Sequence, residues 1–94
     1  MAERALYAIT ISMDEAREDM QANMKDAKNS KLGKICDCPG FVGVYPDPAG
    51  RFVAFLFESP LKRNEAYKVA STLFATAAVM LKTAYVDEKY LTKH

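Results

Sequence analysis

Cys36 and Cys38 are the two cysteines of this 94-residue chain, and they stand one residue apart in the stretch KICDCPG, residues 34–40. A close thiol pair raises metal and redox chemistry first. A structural zinc site needs four ligands; this pair supplies two, and the single histidine, His94, is the final residue. A redox dithiol needs a thiol pKa lowered by a helix N-terminus or by cations. Lys34 is near, but Asp37 between the thiols acts in the opposite sense. A disulfide between residues i and i+2 is strained. The residues predict no metal and no cofactor, with Cys36 and Cys38 on a single face at the start of a strand. Two such pairs meeting across a dimer axis would be the one route to a metal site.

Other catalytic patterns are missing. There is no Gly-rich phosphate loop, no GxSxG and no HExxH. A terminal histidine is not held with the precision a general base needs. Asp14, Glu15, Glu18 and Asp19 suit the first turns of a helix, where carboxylates meet the positive end of the dipole. Asp47 suits a turn, and Glu58 a strand end. The chain is expected not to be an enzyme.

The surrounding elements follow from periodicity and turn chemistry. RALYAITI, over about 4–11, alternates like a strand. Ser12-Met13-Asp14-Glu15 fits a capping box opening a helix over about 13–29. Its stripe is Met13, Ala16, Met20, Met24 and Ala27, and Gly33 closes the segment. Two β-rich runs over about 35–58 flank Asp47-Pro48-Ala49-Gly50, which has type I turn residues position by position. They predict an antiparallel hairpin, with Tyr45 near Val53, Gly43 near Phe55 and Phe41 near Phe57. Val44 then pairs with Ala54, Val42 with Leu56 and Pro46 with Phe52. Gly43 is expected to leave room for the Phe55 ring. Ser59-Pro60 opens a second helix over about 60–77, and VMLKTAYV over about 79–86 reads as a last strand. Residues 87–94 form a tail that closes the chain.

The resulting order, β-α-β-β-α-β, predicts a single α+β domain over 1–94. Its form is a ferredoxin-like sandwich, a four-stranded antiparallel sheet with two helices on one face. Half the residues are hydrophobic, 27% are charged and the net charge is +1, which is globular and generates no strong field toward nucleic acid. No apolar run approaches the ~18 residues of a membrane span. The opening MAERALYAITISMDE lacks the basic and continuous apolar parts of a secretory signal. A cytoplasmic protein without membrane contact is expected.

Two helices cover one sheet face, yet both faces are apolar. One set is Tyr7, Ile9, Ile11, Phe41, Tyr45, Val53, Phe55 and Phe57. The other is Leu6, Ala8, Val42, Val44, Phe52, Ala54 and Leu56. Whichever set is uncovered makes an apolar patch of the kind that binds a partner. The expected function is therefore a small protein–protein interaction module, as a homodimer or as an inhibitor-type binder of a protein target. Its surface would be Leu6, Val42, Val44, Phe52, Ala54 and Leu56, or alternatively Tyr7, Phe41, Tyr45 and Phe55. The DEKYL segment folding across the open face would remove the patch. Lys62, Arg63 and Lys68 form a basic cluster around a helix start, a place for an anion or an acidic partner.

Leu6-Tyr7-Ala8 and Arg51-Phe52-Val53-Ala54-Phe55-Leu56-Phe57 resemble the two aromatic strand motifs of RNA-recognition modules. The resemblance departs at Val53, at Glu58 and at the missing glycine after Arg51. It implies, as the alternative function, a single-stranded nucleic-acid-binding domain with bases stacked on exposed strand aromatics. A small-molecule cavity inside a dimer is a third reading.

Overall fold

The structure is a computed structural model that describes residues 3–26, 29–75 and 78–87, the backbone alone at 3–5 and 83–87. Seven elements follow one another: β1 (Glu3–Ser12), α1 (Met13–Ala22), α2 (Lys31–Cys36), β2 (Phe41–Pro46), β3 (Phe52–Phe57), α3 (Pro60–Leu73) and β4 (Val79–Asp87). The four strands form one antiparallel sheet in the order β2-β3-β1-β4. The fold is α+β. The tail expected over 87–94 lies, beyond Asp87, outside the described residues.

β1 is central because its alternation is apolar on both sides. Ile9 and Ile11 face the helices and pack with Phe55, Phe57, Ile35, Ala66, Ala70 and Phe74. Leu6 and Ala8 face the other way and pack with Ala54 and Leu56. α3 begins as its sequence dictates. The Ser59 hydroxyl accepts the Lys62 N–H at 3.1 Å, and Pro60 fills the first turn, where no N–H is needed.

The first crossover departs from the expected single helix. α1 stops at Ala22, and a second short helix runs from Lys31 to Cys36. Ser30, expected near a helix end, instead caps a new helix by accepting the Gly33 N–H at 2.9 Å. Gly33 is thus inside a helix. Ser12 occupies the position before α1 but makes no side-chain cap, so the expected capping box does not form. The Met13 N–H donates to the Arg51 carbonyl at 2.9 Å, which ties the start of α1 to the hairpin.

The hairpin turn forms as expected. Gly50 donates to the Asp47 carbonyl at 2.8 Å, and Gly50 takes φ +75°, a left-handed conformation open to glycine. The register is different. Pro46 pairs with Val53, Tyr45 with Ala54, Val44 with Phe55 and Gly43 with Leu56, and a shift between Phe41 and Gly43 returns Phe41 to Phe57. Pairing slides by one residue near the turn, and a bulge recovers it. One residue of slip exchanges faces, so Val44 joins the helix side and Tyr45 the outer side. Gly43 makes no room for Phe55; a Cβ there would meet open space.

Candidate functional site: an apolar groove beside β2

The expected binding surface is the first thing the structure revises. Leu6, Ala8 and Leu56 are at most 1% exposed and Ala54 is 7% exposed. The centre of the outer sheet face is therefore a second buried layer and not an open patch. Val42 and Phe52 are half-buried at its margin, while Val44 lies on the opposite face. The aromatic set is corrected too. Tyr7, Phe41 and Phe55 turn toward the helices, with Phe55 buried, and Tyr45 alone of that set lies outside. Phe41 packs edge-on against Phe57 at 5.9 Å and tilted against Phe55 at 6.4 Å. Rings used this way are core, and a buried Phe55 offers no stacking surface for a base.

The basic cluster does not converge. Arg63 lies over the Tyr7 ring at 5.7 Å, donates to the Lys82 carbonyl at 3.2 Å and holds Asn64. Lys68 pairs with Glu65 at 3.7 Å on the exposed helix face. The stem of Lys62 lies against Gly40. Three cations thus have three separate surroundings.

The cysteines are also re-sited. Cys36 is the last residue of α2 and Cys38 lies in the turn after it, so they do not share one face of an entering strand. The reason is Ser30, which starts a helix where a strand was expected. Both thiols are free and half-buried against the helix-side core, and Cys38 donates to the Lys34 carbonyl at 3.4 Å. Burial first, then the Asp37 carboxylate, raise both thiol pKa values above the ordinary range, with Cys38 adding to the rise at Cys36. Raised thiols are poor nucleophiles at neutral pH. Among the described residues, no three His, Cys, Asp or Glu side chains gather as metal ligands.

What sequence reasoning missed is a groove of about 530 Å³ on the helix side. Met13, Met20 and Met24 line it from the first helix and the turn after it, Leu32 and Cys36 from α2, and Val44, Val53 and Phe55 from the sheet. Its origin is geometric. β2 is an edge strand, and the helices pack chiefly over β1, β3 and β4. The helix-facing side of β2 therefore projects past its cover, leaving Val44 45% exposed. The apolar stripe expected of the first helix, whose Met24 lies beyond the end of α1, divides accordingly. Ala16 reaches the core, but Met20 and Met24 stay 50% and 81% exposed. The methionine spacing was visible in the sequence; which part of the stripe would lack a counterpart was not.

Asp19 sets the groove's shape. The residue is 5% exposed, its carboxylate accepts the Lys31 and Leu32 N–H groups, and its carbonyl accepts the Asn23 backbone N–H at 3.1 Å and side-chain amide at 3.0 Å. One residue thus ends α1 and anchors the start of α2. That fixes Leu32 and Cys36 across from the methionines. A volume of this size falls in the range of pockets that receive ligands, and its few polar groups leave dispersion and desolvation as the available forces.

No helix of the described residues is long and apolar enough to cross a membrane. Comparison with known proteins finds no matching family model, no matching curated protein and no matching solved structure.

Proposed function

We propose that the chain is a non-catalytic protein-interaction module on a ferredoxin-like βαββαβ frame, and that it binds through the methionine-lined groove beside β2. The strand order β2-β3-β1-β4, with a helical crossover on either side of the hairpin, supports the frame. The observation that carries the binding site is the exposure of Met20, Met24 and Val44 around a concave apolar floor. Exposed apolar side chains that border a pocket favour a partner that covers them. Methionine is flexible and polarisable, so a wall of it adapts to a protein's apolar anchors.

The test is a photo-crosslinking amino acid placed at position 24, at 44 or at the exposed Lys68, in cells that make the protein. Discrete protein adducts from 24 and 44, and not from 68, are expected. Adducts at all three positions, or at none, would remove the groove as the binding surface. An adduct of twice the chain's mass would identify a second copy as the partner.

A further inference from the structure

We propose that residues 88–94, EKYLTKH, fold back as a strap across the outer sheet face, with Tyr90 and Leu91 seated over Leu6. The strap shuts an apolar layer separate from the groove, so its release uncovers a second apolar surface.

Leu6 is fully buried in the outer layer with Ala8, Ala54 and Leu56, yet the described cover stops short of it. No helix residue belongs to this layer; its partly buried neighbours are Val42, Tyr45 and Phe52. Phe52 is the register partner of Ser12, and Tyr45 lies beside Ala54, the partner of Thr10. They stand about 20 and 13 Å from Leu6 along the β1 direction. Val42, on β2, is two strands from β1. β3 ends at Phe57, opposite Tyr7, so Leu6 lies past its end. On the β4 side the register partner of Leu6 is a small residue, Ala84. Lys82 Nζ lies over the Phe52 ring at 4.7 Å, toward the hairpin end of the layer.

The same face is open elsewhere. Met80, the partner of Thr10, is 56% exposed. Cover is therefore local to the end of the sheet where β1 begins and β4 ends. It comes from the chain itself, because Leu6 is buried within a single copy. Asp87 is the partner of Glu3, one strand across from Leu6 and three residues along, about 11 Å away in all. Tyr90 and Leu91 follow Asp87 after about 10–13 Å of extended chain, so they have the reach. They are the bulky apolar side chains of that segment, and Lys89, Thr92 and Lys93 around them suit the solvent side.

Methyl-resolved NMR of the full chain tests the strap. Nuclear Overhauser effects between the Tyr90 ring and the Leu6 methyls are expected. A soluble gadolinium chelate should relax the Leu6 and Leu56 methyls weakly in the wild type. In Tyr90→Ser/Leu91→Ser that relaxation should rise several-fold, while the Leu32 methyls in the groove keep their wild-type value. Thermal melts check that the double variant folds; if it does not, Leu91→Ala carries the same comparison. Absence of Tyr90–Leu6 contacts overturns the strap, as do contacts to Leu6 from Met1 or Ala2 in their place. Unchanged relaxation of Leu6 and Leu56 in the folded variant overturns it too.

Discussion

The Asp19 carboxylate, on α1, accepts the backbone N–H groups of Lys31 and Leu32 at 2.9 and 3.0 Å. Two donors left over at the start of α2 are thereby satisfied by a residue twelve positions upstream. Charge-assisted bonds to a buried group are the strong kind, so Asp19→Ala is expected to cost about 2–3 kcal/mol in urea unfolding. Asp19→Asn keeps one acceptor and should lose about half as much. A loss below roughly 0.5 kcal/mol for the alanine variant would show that α2 holds its place without this contact.

Gly40 and Gly43 lie three residues apart and should respond in opposite ways. Gly40 takes φ +84°, and a Cβ on it would sit 2.7 Å from the Lys62 Cβ. Gly40→Ala therefore combines backbone strain with a clash against the base of a side chain, for about 2 kcal/mol or more. Gly43 has open space at that position, and Gly43→Ala should be neutral within about 0.5 kcal/mol or stabilising. Thermal melts of the two variants check the contrast.

The outer layer makes a sharper prediction. Leu56→Ala should cost about 3 kcal/mol, as for a fully buried leucine, and Leu56→Asp should not fold. Phe52→Asp, at the half-buried margin where Lys82 Nζ lies 4.7 Å from the ring, should fold and keep an opposite charge for Lys82. A soluble, native Leu56→Asp would return that face to the open surface the sequence suggested.

Much of the frame was legible from residue types. Asp47, Pro48 and Gly50 each have a positional reason in the turn, and Ser59-Pro60 has one at α3. The break after Ala22 was not legible, because it depends on Asp19 meeting Lys31 and Leu32, a contact across a loop that no local window contains. The hairpin register failed for a related reason. A slip of one residue near the turn and a bulge at Phe41–Gly43 leave the composition unchanged while moving Val44 and Tyr45 to opposite faces. The groove then follows from Val44's new side and from β2 lying beyond the helices. Neither is written in the methionine stripe of residues 13–24, which reads as ordinary core.

The thiols titrate in a defined direction. With both pKa values raised, the folded chain favours neutral sulfur. That contribution is complete below the ordinary thiol pKa and is lost as pH climbs through the raised folded values. Iodoacetamide should label both cysteines more slowly than free cysteine at neutral pH, with Cys36 the slower of the two, and labelling should accelerate on the alkaline side. Labelling of either residue as fast as free cysteine would contradict the burial assigned to it.

Asp47 has the opposite sense. The Arg51 side chain, donating at 3.0 Å, is the main cause holding its carboxyl below the ordinary value. The turn is favoured above the ordinary carboxylate range and loses that support as pH falls toward the depressed value. Asp47→Asn should remove this acid dependence, read from amide chemical shifts of Gly50 and Arg51 across an acid titration. An unchanged titration of those amides in the variant would assign the effect to another group.

Glu3 and Asp87 are register partners on β1 and β4, so the first and last described residues lie on neighbouring strands. Pairing of these strands closes a loop of almost the whole chain, whereas β2 and β3 meet across a short turn. The entropy of that closure must be met before β1–β4 contacts return anything. Refolding should therefore be paced by the docking of β4 onto β1. A circular permutant that joins the two ends and opens at the Pro48–Ala49 tip would exchange the long closure for a short one, at the expense of the hairpin.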